Sequence, residues 1–119
     1  MKGAGGDIVI TGSMATHRPH KGSSVYAGAK AAIVGFSKSI AGEYARFGIT
    51  ANCVSLGAFI HDDIDQEWGT PEEREKRRRM FLGFYPLAKN LDRLTLGSDA
   101  AYAVATLASA RSEWMTGQV

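Results

Sequence analysis

Two short runs of apolar and β-branched residues stand out in the first half of the chain. They are DIVITGS at 7–13 and ITANCVSLG at 49–57, and each is bounded by glycine. Runs of this length and composition predict buried strands. The polar stretch 14–23 contains a proline and glycine and predicts a loop. The residues from about 24 to 47 are predicted to form one long helix.

The predicted helix has apolar residues recurring at intervals of three and four. This spacing predicts a single stripe that faces a core, formed by Val25, Ala29, Ala32, Ile33, Phe36, Ile40 and Tyr44. Ser23 or Ser24 can cap its start. Gly48 stands where a left-handed residue is favoured after a helix.

The second half of the chain continues the alternation of helix and strand. We expect, in order, an irregular acidic segment at 58–69, a helix at 70–84, a connector at 85–97, a helix at about 99–110 and the start of a third strand at 115–119. Thr70 and Pro71 are typical of a helix start. Ser98 is the expected cap of the last helix.

This order of strands and helices predicts an α/β fold with a parallel sheet and flanking helices. In such folds function gathers at the carboxyl ends of the strands. Ser13 and Gly57 lie at those ends, and the loop that follows Ser13 leads to Tyr26.

Composition restricts the class of protein further. The chain has 119 residues, 45% hydrophobic and 22% charged, with a net charge of +2. These values are ordinary for a globular domain and give no reason to expect nucleic acid or a membrane as partner. Cys53 is the single cysteine, so no internal disulfide can form, and no Cys/His cluster has metal-site spacing. We therefore expect a cytoplasmic protein.

Tyr26 and Lys30 are one helical turn apart and face the same region. A neutral phenol loses its proton near pH ~10, and a neighbouring ammonium favours the phenolate. The pair therefore suits acid/base catalysis. Ser13 could donate a hydrogen bond to a carbonyl or alkoxide. Taken alone, Tyr26 is better interpreted as a helix tyrosine with a buried ring and a solvated hydroxyl.

Ser13, followed after thirteen positions by Tyr26-Ala-Gly-Ala-Lys30, resembles the active-site pattern of the short-chain dehydrogenase/reductase family. GDIVITGS is similar to that family's serine-bearing strand. The family's catalytic helix and the strand after it are similar to the run YAGAKAAIVGFSKSIAGEYARFGITANCVSLG. Its C-terminal run is similar to PLAKNLDRLTLGSDAAYAVATLASARSEWMTGQV. The resemblance covers nearly the whole chain and implies a Rossmann-like fold.

The resemblance also implies roles for particular residues. Tyr26 would exchange a proton with the substrate oxygen, and Ser13 would orient and polarise the carbonyl. Lys30 would favour the phenolate and hold the nicotinamide ribose, while Gly57 and His61 would lie along the nicotinamide. The implied cofactor is NAD or NADP, and the implied substrate is a secondary alcohol or ketone. The helix at 24–47 would join subunits of a dimer or tetramer.

The sequence departs from the family pattern in three places. The glycine-rich phosphate turn is absent, because GAGG at 3–6 has no helix after it. Leu56-Gly57 replaces the usual Pro-Gly, and His61 stands where the family has a threonine. The chain also stops before the family's last strand is complete. We therefore interpret residues 1–119 as the C-terminal catalytic portion of a dehydrogenase domain that lacks its nucleotide-binding half.

Several other residues have two interpretations. His17 and His20 are interpreted as solvated loop residues, and Asn52 as a structural hydrogen-bonding residue. His61 could face the cofactor or belong to a lid. The basic residues of 74–79 could pair with Glu72, Glu73 and Glu75 or grip a phosphorylated carrier. Five large apolar residues could line an apolar wall of the substrate site or could pack in an ordinary lid; they are Trp68, Met80, Phe81, Phe84 and Tyr85.

Two classes of function follow. The first is an NAD(P)-dependent oxidoreductase that acts through Ser13, Tyr26 and Lys30. The second is an inactive half-chain that serves as an oligomerisation or binding module, because small residues on the helix let another helix approach closely. The complete serine, tyrosine and lysine set favours the enzyme.

Overall fold

The computed structural model describes residues 5–57, 69–91, 93 and 95–119. Its strands are β1 (Asp7–Ser13) and β2 (Thr50–Leu56), and its helices are α1 (Ser24–Tyr44), α2 (Pro71–Phe84), α3 (Pro86–Leu91) and α4 (Gly97–Leu107). Single 3₁₀ turns follow β1, α1 and α4, at Met14–Thr16, Ala45–Phe47 and Ala110–Ser112. The strand and helix order predicted for the described residues is confirmed, except at α3 and at the C-terminal segment.

The sheet of the described residues consists of β1 and β2, which run parallel from the pair Asp7↔Thr50 to the pair Ser13↔Leu56. Gly12 leaves room for a side chain of β2, because a Cβ there would lie 2.6 Å from Cys53 Sγ. A crossover through α1 joins the two strands, as parallel pairing demands. Ser13 and Leu56 thereby end at the same edge of the sheet.

Helix α1 packs on the sheet through a face that includes only part of the predicted stripe. Its buried residues are Ser37 and Ala41, and Lys30, Ile33 and Val34 are half-buried. Val25 is 85% exposed and Phe36 is 59% exposed. The prediction holds in part for Ile33 and Ile40, which are half-buried, and is wrong for the exposed members of the stripe. Small side chains give the close contact with the strands, while Val25 and Phe36 remain uncovered.

The start of α1 differs from expectation, whereas the glycine after it behaves as predicted. Ser23 is the N-cap residue, but its hydroxyl binds the backbone of His20 and makes no capping bond. At the other end Gly48 has the predicted left-handed conformation, with φ of 71°. The N–H of Gly48 donates to the carbonyl of Ala45 and closes the turn.

The C-terminal segment lies beside β2 without forming a regular strand. Cys53 N donates to Gln118 O at 2.9 Å, and Gly117 N donates to Ala51 O at 2.8 Å. The fully buried Asn52 side chain adds bonds to Met115 O and from Gln118 N. The structural role predicted for Asn52 is thus confirmed, whereas the described residues of 115–119 contain no strand.

Helix α2 begins at a complete capping box, as Thr70 and Pro71 predict. Thr70 Oγ1 accepts from Glu73 N, and the Glu73 carboxylate accepts from Thr70 N at 2.8 Å. These bonds hold the pKa of Glu73 below its usual value, with the backbone bond from Thr70 as the main cause. The two reciprocal bonds satisfy N–H groups that the first turn leaves free.

The region after α2 contains more helix than expected. The predicted connector at 85–97 includes α3, and α4 begins at Gly97, so Ser98 lies inside it and is not its cap. Asp99 binds Leu96 N and the Arg93 guanidinium, each through Oδ2. The bond from Arg93 is the main cause that lowers the pKa of Asp99. An aspartate in the first turn therefore replaces the expected serine.

Candidate active site

Ser13 is the last residue of β1 and is buried, at 9% exposure. Its hydroxyl oxygen accepts a hydrogen bond from Ala15 N at 3.2 Å, which starts the 3₁₀ turn Met14–Thr16. The Thr16 hydroxyl donates to Ser13 O at 2.9 Å. These bonds fix the backbone around Ser13 and leave its hydroxyl proton available for donation to a carbonyl oxygen.

Tyr26 lies in the first turn of α1 and Lys30 one turn later. The Lys30 ammonium lies 5.9 Å from the centroid of the Tyr26 ring, within the range of a cation–π contact. Tyr26 is 51% exposed. The predicted juxtaposition of these two side chains is therefore present, and the tyrosine is accessible to a ligand.

Lys30 also connects α1 to β1. Its Nζ donates to Thr11 O at 3.0 Å. Thr50 N donates to Gly6 O, and peptide groups alternate between the edges of a strand, so Thr11 O lies on the edge of β1 away from β2. The bond secures the ammonium next to the end of β1, two residues before Ser13.

Two further residues were expected at the cofactor. Gly57 directly follows β2 and is half-buried, at the same edge of the sheet as Ser13. The prediction for His61 lies outside the described residues, as does the one for Trp68. Among the other apolar candidates, Met80 and Phe84 are exposed and Phe81 and Tyr85 are half-buried. The buried residue of α2 is Leu82.

Sequence reasoning missed two supporting residues, Thr11 and Thr16. The role of Thr11 is carried by its backbone carbonyl, so no side-chain signal could have revealed it. Thr16, a hydroxyl residue three positions after Ser13, could have been recognised as a turn-forming residue.

The basic residues of α2 pair with acids on the same helix. Arg79 Nε lies 2.7 Å from Glu75 Oε1, and Arg78 lies 3.9 Å from the same carboxylate. Glu73 is engaged by the capping box instead. The pairing interpretation of this run is therefore confirmed for Glu75.

Two further kinds of site are absent from the part of the chain that the structure describes. No group of three or more His, Cys, Asp or Glu side chains there could hold a metal ion. None of the helices described is long and apolar enough to cross a bilayer.

The donor groups at this edge fit a nicotinamide ribose. An ammonium carries three N–H donors, and Lys30 uses one of them on Thr11 O. Two remain for ribose hydroxyls, and the exposed Tyr26 phenol is a further donor or acceptor. Gly57 adds a backbone without a side chain at the end of β2.

A family model described as enoyl-(acyl carrier protein) reductase matches residues 1–119. A solved short-chain dehydrogenase family protein from Francisella tularensis superposes with a TM-score of 0.82 at 26% identity, over 97% of this chain and 48% of that one. The chain belongs to the short-chain dehydrogenase/reductase family. The recognition and the fold class expected from the sequence are confirmed.

Named enzymes appear among the relatives of this short-chain dehydrogenase/reductase chain. The 3-oxoacyl-[acyl-carrier-protein] reductase FabG of Salmonella typhimurium is 37% identical over 118 residues, which are 99% of this chain and 44% of that protein. The acetoin dehydrogenase of Enterobacter cloacae superposes with a TM-score of 0.74 at 30% identity, over 96% of this chain and 40% of that one. The chain thus spans less than half the length of these relatives, whose names are those of a reductase and a dehydrogenase.

Proposed function

We propose that residues 1–119 are the C-terminal catalytic portion of an NAD(P)-dependent oxidoreductase of the cytoplasm. The complete protein interconverts a secondary alcohol and a ketone. Support comes from membership of the family and from relatives named as a reductase and a dehydrogenase. The observation that carries the proposal is the Lys30 ammonium next to the Tyr26 ring, at the edge where β1 ends in Ser13.

In this proposal the bound nicotinamide cofactor supplies or accepts the hydride. In the direction of reduction, Ser13 donates a hydrogen bond to the ketone oxygen and polarises the carbonyl. Tyr26 gives its proton to that oxygen while hydride reaches the carbon, so the product is the neutral alcohol. Lys30 compensates the negative charge left on the phenolate and binds the ribose.

Burial of Ser13 strengthens its role in this scheme. A donor that is fixed before the reaction needs no reorganisation when negative charge develops on the substrate oxygen. The Ser13 backbone is held by Thr16, and its hydroxyl oxygen already accepts from Ala15 N. The hydroxyl proton remains for donation to the substrate oxygen.

A direct test is the assay of the complete protein with ketones and NADH or NADPH. We expect Ser13→Ala to lower kcat by about a hundredfold, the usual effect of removing one such donor. Ser39→Ala is the matched control, because Ser39 is an exposed serine of α1. Equal activity of the two variants would contradict the role of Ser13.

We also propose that α1 joins subunits of a homo-oligomer. The support is its uncovered apolar face, on which Val25, Phe36 and Tyr44 are all exposed. Covering such side chains removes apolar surface from water, worth about 25 cal/mol per Å². Uncovered apolar patches on soluble proteins commonly mark interaction sites.

A further inference from the structure

The stretch that runs from β1 through most of α1 contains basic residues and no acid. Residues 8–42 contain Arg18, Lys21, Lys30 and Lys38 but no aspartate or glutamate. Arg18 and Lys21 fall in the loop between Ser13 and Tyr26, together with His17 and His20. All four side chains of this loop are exposed, and no salt bridge to them occurs among the described residues.

Two hydrogen-bonded turns give this loop a defined shape. The N–H groups of His17 and Arg18 both donate to Met14 O, at 3.0 and 2.9 Å. The loop therefore turns back onto the residue that directly follows Ser13. Arg18 is in this way held close to the end of β1 even though it is five positions further along the chain.

The second turn presents Lys21. Ser23 N donates to His20 O at 3.1 Å, and Gly22 between them has φ of 88°, which only glycine adopts at little cost. The Ser23 hydroxyl additionally accepts from His20 N and donates to His20 O. Lys21 thus stands at the tip of a turn that is closed immediately before α1 and Tyr26.

We propose that Arg18 and Lys21 bind an anionic group of the substrate, a carboxylate or a phosphate, and thereby select charged carbonyl compounds. This inference rests on the proposed function, because it assumes that the carbonyl is held between Ser13 and Tyr26. Arginine and lysine are the side chains that recognise these anions, arginine through two parallel hydrogen bonds. The loop itself contains no acid, and in the described part of the chain no salt bridge involves either side chain.

The test measures binding of matched ketones to the cofactor-loaded complete protein by calorimetric titration. Acetoacetate is compared with its methyl ester, and dihydroxyacetone phosphate with dihydroxyacetone. We expect the charged member of at least one pair to bind about tenfold or more tightly, as for hydrogen bonds to charged groups. The pair that shows the preference identifies carboxylate or phosphate as the group.

The double variant Arg18→Gln, Lys21→Gln should remove this preference and leave binding of the neutral ketones unchanged. Lys38→Gln is the control, since Lys38 is an exposed lysine of the same acid-free stretch but outside the loop. Absence of a charge preference in both pairs, or its persistence in the double variant, would overturn the inference. Failure of the proposed function would instead appear as loss of hydride transfer to every ketone, which this binding assay does not measure.

Discussion

Lys30 has two partners, the carbonyl of Thr11 and the ring of Tyr26. Spacing in the sequence predicted the second, because residues four apart share a helix face. It could not predict the bond to Thr11, because every residue has a backbone carbonyl and the sequence does not show which one accepts. The positions of Ser13 at a strand end and of Tyr26 at a helix start were also predictable, because each follows from a local pattern.

Lys30→Ala tests the function of this lysine. We expect the Michaelis constant for the nicotinamide cofactor to rise about tenfold or more, because a charged hydrogen-bond donor is lost. Lys38→Ala, an exposed lysine on the same helix, should leave it unchanged. Steady-state kinetics at saturating ketone measure both, and identical constants in the two variants would remove Lys30 from cofactor binding.

At the scale of elements, helix starts were more predictable than helix faces. Thr70 with Glu73 forms the capping box that local residue types favour. Which face of α1 is covered depends on the elements that pack against the helix. The local sequence of the helix does not contain that information. Ser37 lies fully buried against the sheet while Val25 faces solvent, because close packing on a strand pair selects small side chains over the most apolar ones.

Glu73 should make the start of α2 sensitive to pH. Its native pKa is lowered by the bond from Thr70, so its stabilising effect is complete above the ordinary value of 4.5 and is lost as pH falls through the lower native value. Amide hydrogen exchange at Thr70 should therefore accelerate at acid pH relative to its intrinsic rate. Glu73→Gln should remove this dependence.

Glu72→Gln is the control for this experiment, since Glu72 is the other acid of the first turn but takes no part in the capping box. Its amide exchange profile at Thr70 should follow that of the unmodified protein. A profile of Glu73→Gln that still varies with pH would show that another group controls the helix start.

At the scale of the whole molecule, the sequence predicted the family and the parallel strand pair, because the motifs occur in a fixed order along the chain. It did not predict how the C-terminal segment lies against β2. Two backbone hydrogen bonds and the Asn52 side chain hold that segment in place, and such contacts between distant residues have no local signature.

The proposed oligomer interface gives a prediction at this scale. Phe36→Glu should shift the complete protein toward smaller species in analytical ultracentrifugation, because a charge would be placed on the uncovered face of α1. Phe84→Glu provides the comparison, since Phe84 is similarly exposed on α2. If both variants sediment like the unmodified protein, α1 is not the interface.

The central claim is that Tyr26 exchanges the proton of the reacting oxygen, and the most direct measurement is turnover after Tyr26→Phe. General acid/base catalysis contributes about 10²–10⁴-fold, so kcat should fall by about a hundredfold or more while the cofactor still binds. Tyr44→Phe removes the same hydroxyl from another exposed tyrosine of α1 and should leave turnover intact. Near-normal turnover by the Tyr26→Phe protein would contradict the account.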